Sequence, residues 1–194
     1  MLLADDPRSR VLLRLAAHAP ADEAEARDVA AISAFVRANA DCFGKANPVA
    51  HLTGSAFVLA PDGRLLLHHH RKLDRWLQLG GHTDPGEVDV ADTAFREAAE
   101  ESGLTDLRFH PALGRRPIDV DAHRIPARPG EAAHDHLDLR YVLVTDTPEA
   151  IECSAESRAL AWFHGAALAA LGFDPALRRA VDKLRTLSEA PRLA

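Results

Sequence analysis

The nonapeptide REAAEESGL, Arg96 to Leu104, constrains the chain more than any other segment. Glu97, Glu100 and Glu101 stand at i, i+3 and i+4, the spacing that gathers side chains on one helical face. Upstream, Ala91, Ala94, Phe95 and Ala98 form an apolar stripe at i, i+3, i+4 and i+7. The spacing predicts a helix over about residues 90–102, stopped by Gly103. One of its sides packs on a core, and the neighbouring side presents carboxylates.

That is a poor place for acids. Like charges so spaced cost a helix roughly 0.2–0.5 kcal/mol per pair, and the macrodipole disfavours negative charge in the last turn. Such acids usually form a solvated face, and Arg96 can pair with Glu100 at i+4. Two carboxylates are still left uncompensated. A hard divalent cation offsets their repulsion, because oxygen-only carboxylate sites suit Mg²⁺, Mn²⁺ and Ca²⁺.

The chain has 194 residues, enough for one ordinary domain and an appendage. A net charge of −6 argues against a nucleic-acid-binding surface, so an anionic substrate must meet local positive charge. Cys42 and Cys153 are too few for a disulfide scaffold, which suits a reducing cytoplasm. The opening MLLADDPRSR does not read as a signal peptide, and no apolar run suffices to span a bilayer.

Two helices, broken at Pro20, are expected between about residues 8 and 39, and CFGKANPVA reads as a linker. LTGSAFVLA and RLLLHHH flank the turn PDG as paired strands. RWLQLGGHTDPGE reads as a glycine-rich loop. Strands are expected around PIDVDAH, HLDLRYVLVTD and ALAWF, before a terminal amphipathic helix in DPALRRAVDKLRTLS. The mixture predicts an α/β fold with a mixed sheet between helices. The expected division is an N-terminal helical extension and linker over residues 1–46 and a main α/β domain over 47–194. The extension would serve as a homodimer interface or as a cover for the sheet.

The segment GHTDPGEVDVADTAFREAAEESGL, Gly81 to Leu104, resembles the signature box of the Nudix hydrolases. Gly81, Glu87, Arg96, Glu97, Ala98, Glu100, Glu101, Gly103 and Leu104 fall on its pattern types. There are two departures: eight residues rather than seven separate Glu87 from Arg96, and Leu79 stands where many members carry proline. The resemblance implies an α/β/α Nudix sandwich. It also implies Mg²⁺- or Mn²⁺-dependent hydrolysis of a nucleoside diphosphate derivative or related small-molecule pyrophosphate. By the same resemblance Glu97, Glu100 and Glu101 are metal ligands with the carbonyl of Gly80, and Arg96 braces them. A further carboxylate in a late loop before a Trp-containing strand would be Glu156 as general base, or else Glu152. Two rival readings share the fold. A ligand-sensing domain need not keep the intact acidic set, and an isopentenyl-diphosphate isomerase-like enzyme needs a catalytic Cys beside the site.

A second constellation lies outside the box. Asp119, Asp121 and His123 alternate on one strand, and His134, His136 and Asp138 alternate on another. One antiparallel register sets His123 opposite His134, Asp121 opposite His136 and Asp119 opposite Asp138, with Arg140 extending the row. These polar groups form either an exposed sheet face or a wall for substrate or a second metal. His134, His136, Asp138 and Arg140 are therefore candidate substrate contacts, as is His82 beside the paired glycines. His68, His69 and His70 split across both faces of their strand, and a His-rich transition-metal binder stays an alternative.

Overall fold

A computed structural model describes residues 5–155 and 157–189. Helices α1 (Arg8–Ala17) and α2 (Glu23–Ala38) precede the sheet, and the Asp22 side chain caps α2 by accepting from the Glu25 amide at 2.8 Å. The expected break at Pro20 falls between them. Eight strands follow: β1 (Ala50–Leu59), β2 (Leu65–His70), β3 (Arg75–Leu77), β4 (Leu79–His82), β5 (Arg108–Phe109), β6 (Asp119–Ile125), β7 (His134–Val144) and β8 (Ser157–Phe163). Helix α3 (Val90–Ser102) lies between β4 and β5, and α4 (Gly165–Ala169) and α5 (Pro175–Glu189) close the described chain.

The strands form one mixed sheet in the order β3-β2-β1-β7-β5, with β4 paired to β1, β6 to β7 and β8 to β2. β1 and β7 run parallel through ten paired positions, from Ala50 beside Asp135 to Leu59 beside Val144. Both are buried on two faces and carry little outward polarity along their central residues. Alternation divides the core. Leu52, Ala56 and Val58 pack with α1, α2 and α3, while Phe57 and Leu59 pack with α4 and α5. The result is the expected α/β/α sandwich. Val11, Leu15, Ile32 and Val36 join the core under α3, so the N-terminal helices cover the sheet.

Helix α3 has the boundaries its sequence predicts. Asp89 caps its start by accepting from the Ala91 amide at 2.9 Å, and Gly103 ends it in the left-handed conformation. It lies close on β1 because Gly54 has no side chain: a Cβ there would sit 2.4 Å from the Val90 carbonyl. This close packing seats the glutamate face beside β4.

Two expectations are corrected. The glycine-rich loop contains strands β3 and β4, and β4 pairs antiparallel with β1 from Thr53↔His82 to Ala56↔Leu79. Ladder hydrogen bonds need only main-chain groups, so a glycine pair can be a strand without an alternating pattern. The β6/β7 register is also shifted by two residues: His123 faces His136, Asp121 faces Asp138 and Asp119 faces Arg140. A shift of two preserves every face. It also sets Arg140 among Asp119, Asp121 and Asp138, at 3.1, 2.9 and 3.2 Å.

A buried ionic network ties the extension to the sheet. The fully buried Glu25 of α2 accepts from Lys183 of α5 at 2.5 Å and from the Val120 amide at 3.1 Å. Lys183 and Arg179 of α5 both reach Asp119, at 3.1 and 2.8 Å. Among the described residues, no helix is long and apolar enough to cross a membrane.

Candidate active site

Arg96 organises the glutamates. Its guanidinium reaches Glu97 at 3.0 Å, Glu100 at 3.1 Å and Glu87 at 2.8 Å, and donates to the His82 carbonyl at 2.8 Å. Glu87 also accepts from Thr93 Oγ1 and the Asp84 amide. The extra residue before the helix therefore leaves Glu87 in contact with Arg96, and the neighbouring Val88 points outward. Glu101 turns inward, accepting from the Gly80 amide at 2.8 Å and lying 3.2 Å from His68 Nδ1. Glu100 is the exposed member, with 59% of its side chain accessible.

Like Glu87, Glu97 lines the main cleft, a cavity of about 980 Å³. Burial pushes its carboxyl up to about 7; Arg96 pulls it down, while Glu101 and Glu100 add to the rise. A half-buried carboxylate with two acidic neighbours is short of positive charge, although Arg96 touches it. An all-oxygen set of this kind suits Mg²⁺ or Mn²⁺.

The opposite wall comes from β1, β6 and β7, and His123, His134, His136 and Asp138 line the same cavity as Glu97. Asp138 is buried and accepts from Ser55 Oγ at 2.7 Å and Thr53 Oγ1 at 3.1 Å. Arg140 is also buried, and its three carboxylate partners hold it fully charged against the cost of burial. It braces Asp138 from beneath the wall. His82 Nε2 lies 3.1 Å from His136 Nε2, and His134 Nε2 lies 3.3 Å from the same atom. Burial pushes His82 down to about 3 and His136 to about 2, and neighbouring imidazoles add to the effect.

Three contributors had no clear signal in the sequence. His51 sits alone in NPVAHLTG, yet the parallel ladder places it beside His136. His68 lies in the run HHH, yet its Nδ1 comes within 3.2 Å of Glu101. Glu25 looks like an ordinary first-turn acid. Glu156, the candidate general base, lies outside the described residues. Glu152 lies by the end of α3, its amide donating to the Ser102 carbonyl at 2.7 Å. Cys42 is buried and its thiol is pushed up to about 11 by that burial, which does not suit the nucleophile or acid of an isomerase.

The NUDIX domain model matches residues 50–184, which contain the whole sheet, α3 and both walls of the cleft. The chain belongs to the Nudix hydrolase family. Its similarity to a probable DHNTP pyrophosphohydrolase from Lactococcus lactis subsp. cremoris (strain MG1363) is 33% identity over 114 residues, 58% of this chain. That match spans 64% of the relative's length. An Ap4A hydrolase of C. elegans superposes with a TM-score of 0.57 at 17% identity, over 71% of this chain and 96% of that one. The E. coli dihydroneopterin triphosphate pyrophosphohydrolase gives 0.51 at 21% identity, over 68% and 92%. Likeness at this level shows the shared fold.

Proposed function

We propose that the protein is a Mg²⁺- or Mn²⁺-dependent pyrophosphohydrolase. The observation that carries the reading is the joining of Glu97, Glu100 and Glu87 by one guanidinium at the edge of a polar cleft. Glu97, Glu100 and Glu101, with the Gly80 carbonyl, would hold the ion. When bound, the ion supplies charge neutralisation of the diphosphate and acidification of the attacking water. Arg96 fixes the carboxylate rotamers in advance, which reduces reorganisation at the reacting centre.

The substrate class is a nucleoside diphosphate derivative or a related organic pyrophosphate. The Lactococcus relative makes DHNTP the first compound to test. A mainly neutral imidazole wall would receive an uncharged or aromatic portion more readily than a second phosphate. The acid groups that would hold the metal are committed to that role, so a late-loop carboxylate, Glu156 first and Glu152 second, is the proposed general base. The experiment is a panel of DHNTP, nucleoside diphosphate derivatives and dinucleoside polyphosphates, incubated with Mg²⁺ or Mn²⁺ and followed by phosphorus NMR. Metal-dependent cleavage of an anhydride bond is expected. Cleavage of a phosphomonoester alone would refute the proposal.

A further inference from the structure

We propose that His51, His82 and His136 form a second metal site, built for a borderline ion such as Zn²⁺, Co²⁺ or Ni²⁺. This goes beyond the hydrolase reading, since nitrogen ligands select different ions from the carboxylates of α3. One potential ligand atom from each of the three histidines lies within 4.8 Å of the other two. They come from three strands of one sheet. His51 on β1 is the direct neighbour of His136 on β7, and His82 on β4 pairs with Thr53, two residues further along β1. β1 lies between the other two strands, so the ligands stand on rigid, mutually hydrogen-bonded backbone.

His51 is the decisive residue. Only 2% of it is exposed, and among the described residues neither ring nitrogen finds a hydrogen bond of normal geometry, the Asn47 backbone offering a looser polar contact. Buried polar groups are nearly always paired, and an unpaired one calls for a physical reason. Its ring is 5.0 Å from those of both His82 and His136, centre to centre. An ion among the three would give one His51 nitrogen its missing partner, and the Asn47 contact would orient the other.

The remaining geometry points the same way. His134 Nδ1 donates to the Ala132 carbonyl at 2.9 Å, which turns Nε2 toward His136. His136 Nε2 then faces both His134 and His82, at 3.3 and 3.1 Å. One N–H cannot point well at both. A cation, unlike a proton, accepts several lone pairs at once. Three protein ligands would leave a tetrahedral ion a fourth position for water or a substrate oxygen. That position opens to the cleft, because His82 and His136 line it.

The test uses the whole 194-residue chain, stripped with chelator and titrated with Co²⁺. Visible absorption reports tetrahedral coordination, and Zn²⁺ competition against a chromophoric chelator gives affinity. An intense Co²⁺ band that saturates at one ion per chain is expected. His136→Gln and His51→Asn should each weaken Zn²⁺ binding about 100-fold or more, since even losing an outer-shell partner costs roughly 10–100-fold. Glu100→Gln should leave that affinity unchanged, which separates this site from the one on α3. His51→Asn changes a buried residue; if it fails to fold, His136→Gln decides. Zn²⁺ affinity equal to wild type in His136→Gln, or lost in Glu100→Gln instead, would overturn the proposal. Absence of a Co²⁺ band at saturating metal would also overturn it, whether or not the hydrolase assay succeeds.

Discussion

Gly81 lies directly against the carboxylate of Glu97: a Cβ at that position would sit 2.5 Å from Glu97 Cδ. Gly81 is therefore the floor on which the Glu97 side chain rests. Gly81→Ala pushes on the end of a flexible side chain, so it should displace Glu97 while costing less than about 1 kcal/mol of stability. Mg²⁺ affinity and turnover should fall together. Gly80→Ala is different, because Gly80 has φ of 151° and its Cβ would meet Ser55 Cα at 2.5 Å. It should lower the melting temperature several degrees more than Gly81→Ala, and equal melting temperatures would contradict this account.

Glu100 and Glu101 should separate in stability. Glu100 is largely exposed, so Glu100→Gln removes repulsion at a helix end and should leave stability within about 0.5 kcal/mol of wild type. Glu101 is buried and accepts from the Gly80 amide, so Glu101→Gln offers that donor a weaker acceptor and should cost about 1–3 kcal/mol. Chemical denaturation of both variants without metal gives the comparison. A reversed order would mean that Glu101 is not held as described.

Glu97 gives a pH signature in metal-free protein. Its proton is bound more tightly in the folded state, with a carboxyl at about 7 against an ordinary 4.5. The folded state then holds more protons than the unfolded state, so this contribution to stability falls as pH rises from about 4.5 to 7. The total is on the order of 3 kcal/mol. Glu97→Gln should abolish that component, so the difference in melting temperature between variant and wild type should widen in the variant's favour across the window. Parallel profiles in chelator would contradict the burial of Glu97.

The helix was legible because its chemistry is local. The 3.6-residue period fixes both the apolar stripe and the glutamate face of α3, and Asp89 and Gly103 mark its ends. What escaped was set by partners distant in sequence. Period two fixed the faces of β6 and β7 but could not distinguish registers two residues apart. The glycines of β4 carry no side-chain pattern, so their pairing with β1 leaves no trace in alternation. His51 became a site residue only through its place beside His136 in a parallel ladder, 85 positions away in the chain by number.

Arg140 tests how the cleft wall is held. The earlier expectation made it a substrate contact, whereas it lies buried among three carboxylates. Arg140→Met leaves those charges without their common partner. Breaking a buried pair from one side typically costs about 3–5 kcal/mol, and Glu25→Ala, which removes the buried acceptor shared by Lys183 and the Val120 amide, should fall in the same range. Thermal unfolding checks both. A stable Arg140→Met variant with only weakened substrate binding would restore the substrate-contact reading.

In the proposed function the glutamate face of α3 runs a metal-dependent attack on a pyrophosphate bond. The most direct measurement is hydrolysis of the best substrate from the panel as a function of Mg²⁺ concentration, for wild type and Glu100→Gln side by side. No turnover is expected in chelator, with saturable activation by Mg²⁺ in wild type and a loss of orders of magnitude in the folded variant at limiting Mg²⁺. Turnover that persists in chelator, or a Glu100→Gln variant matching wild type at limiting Mg²⁺, would contradict it.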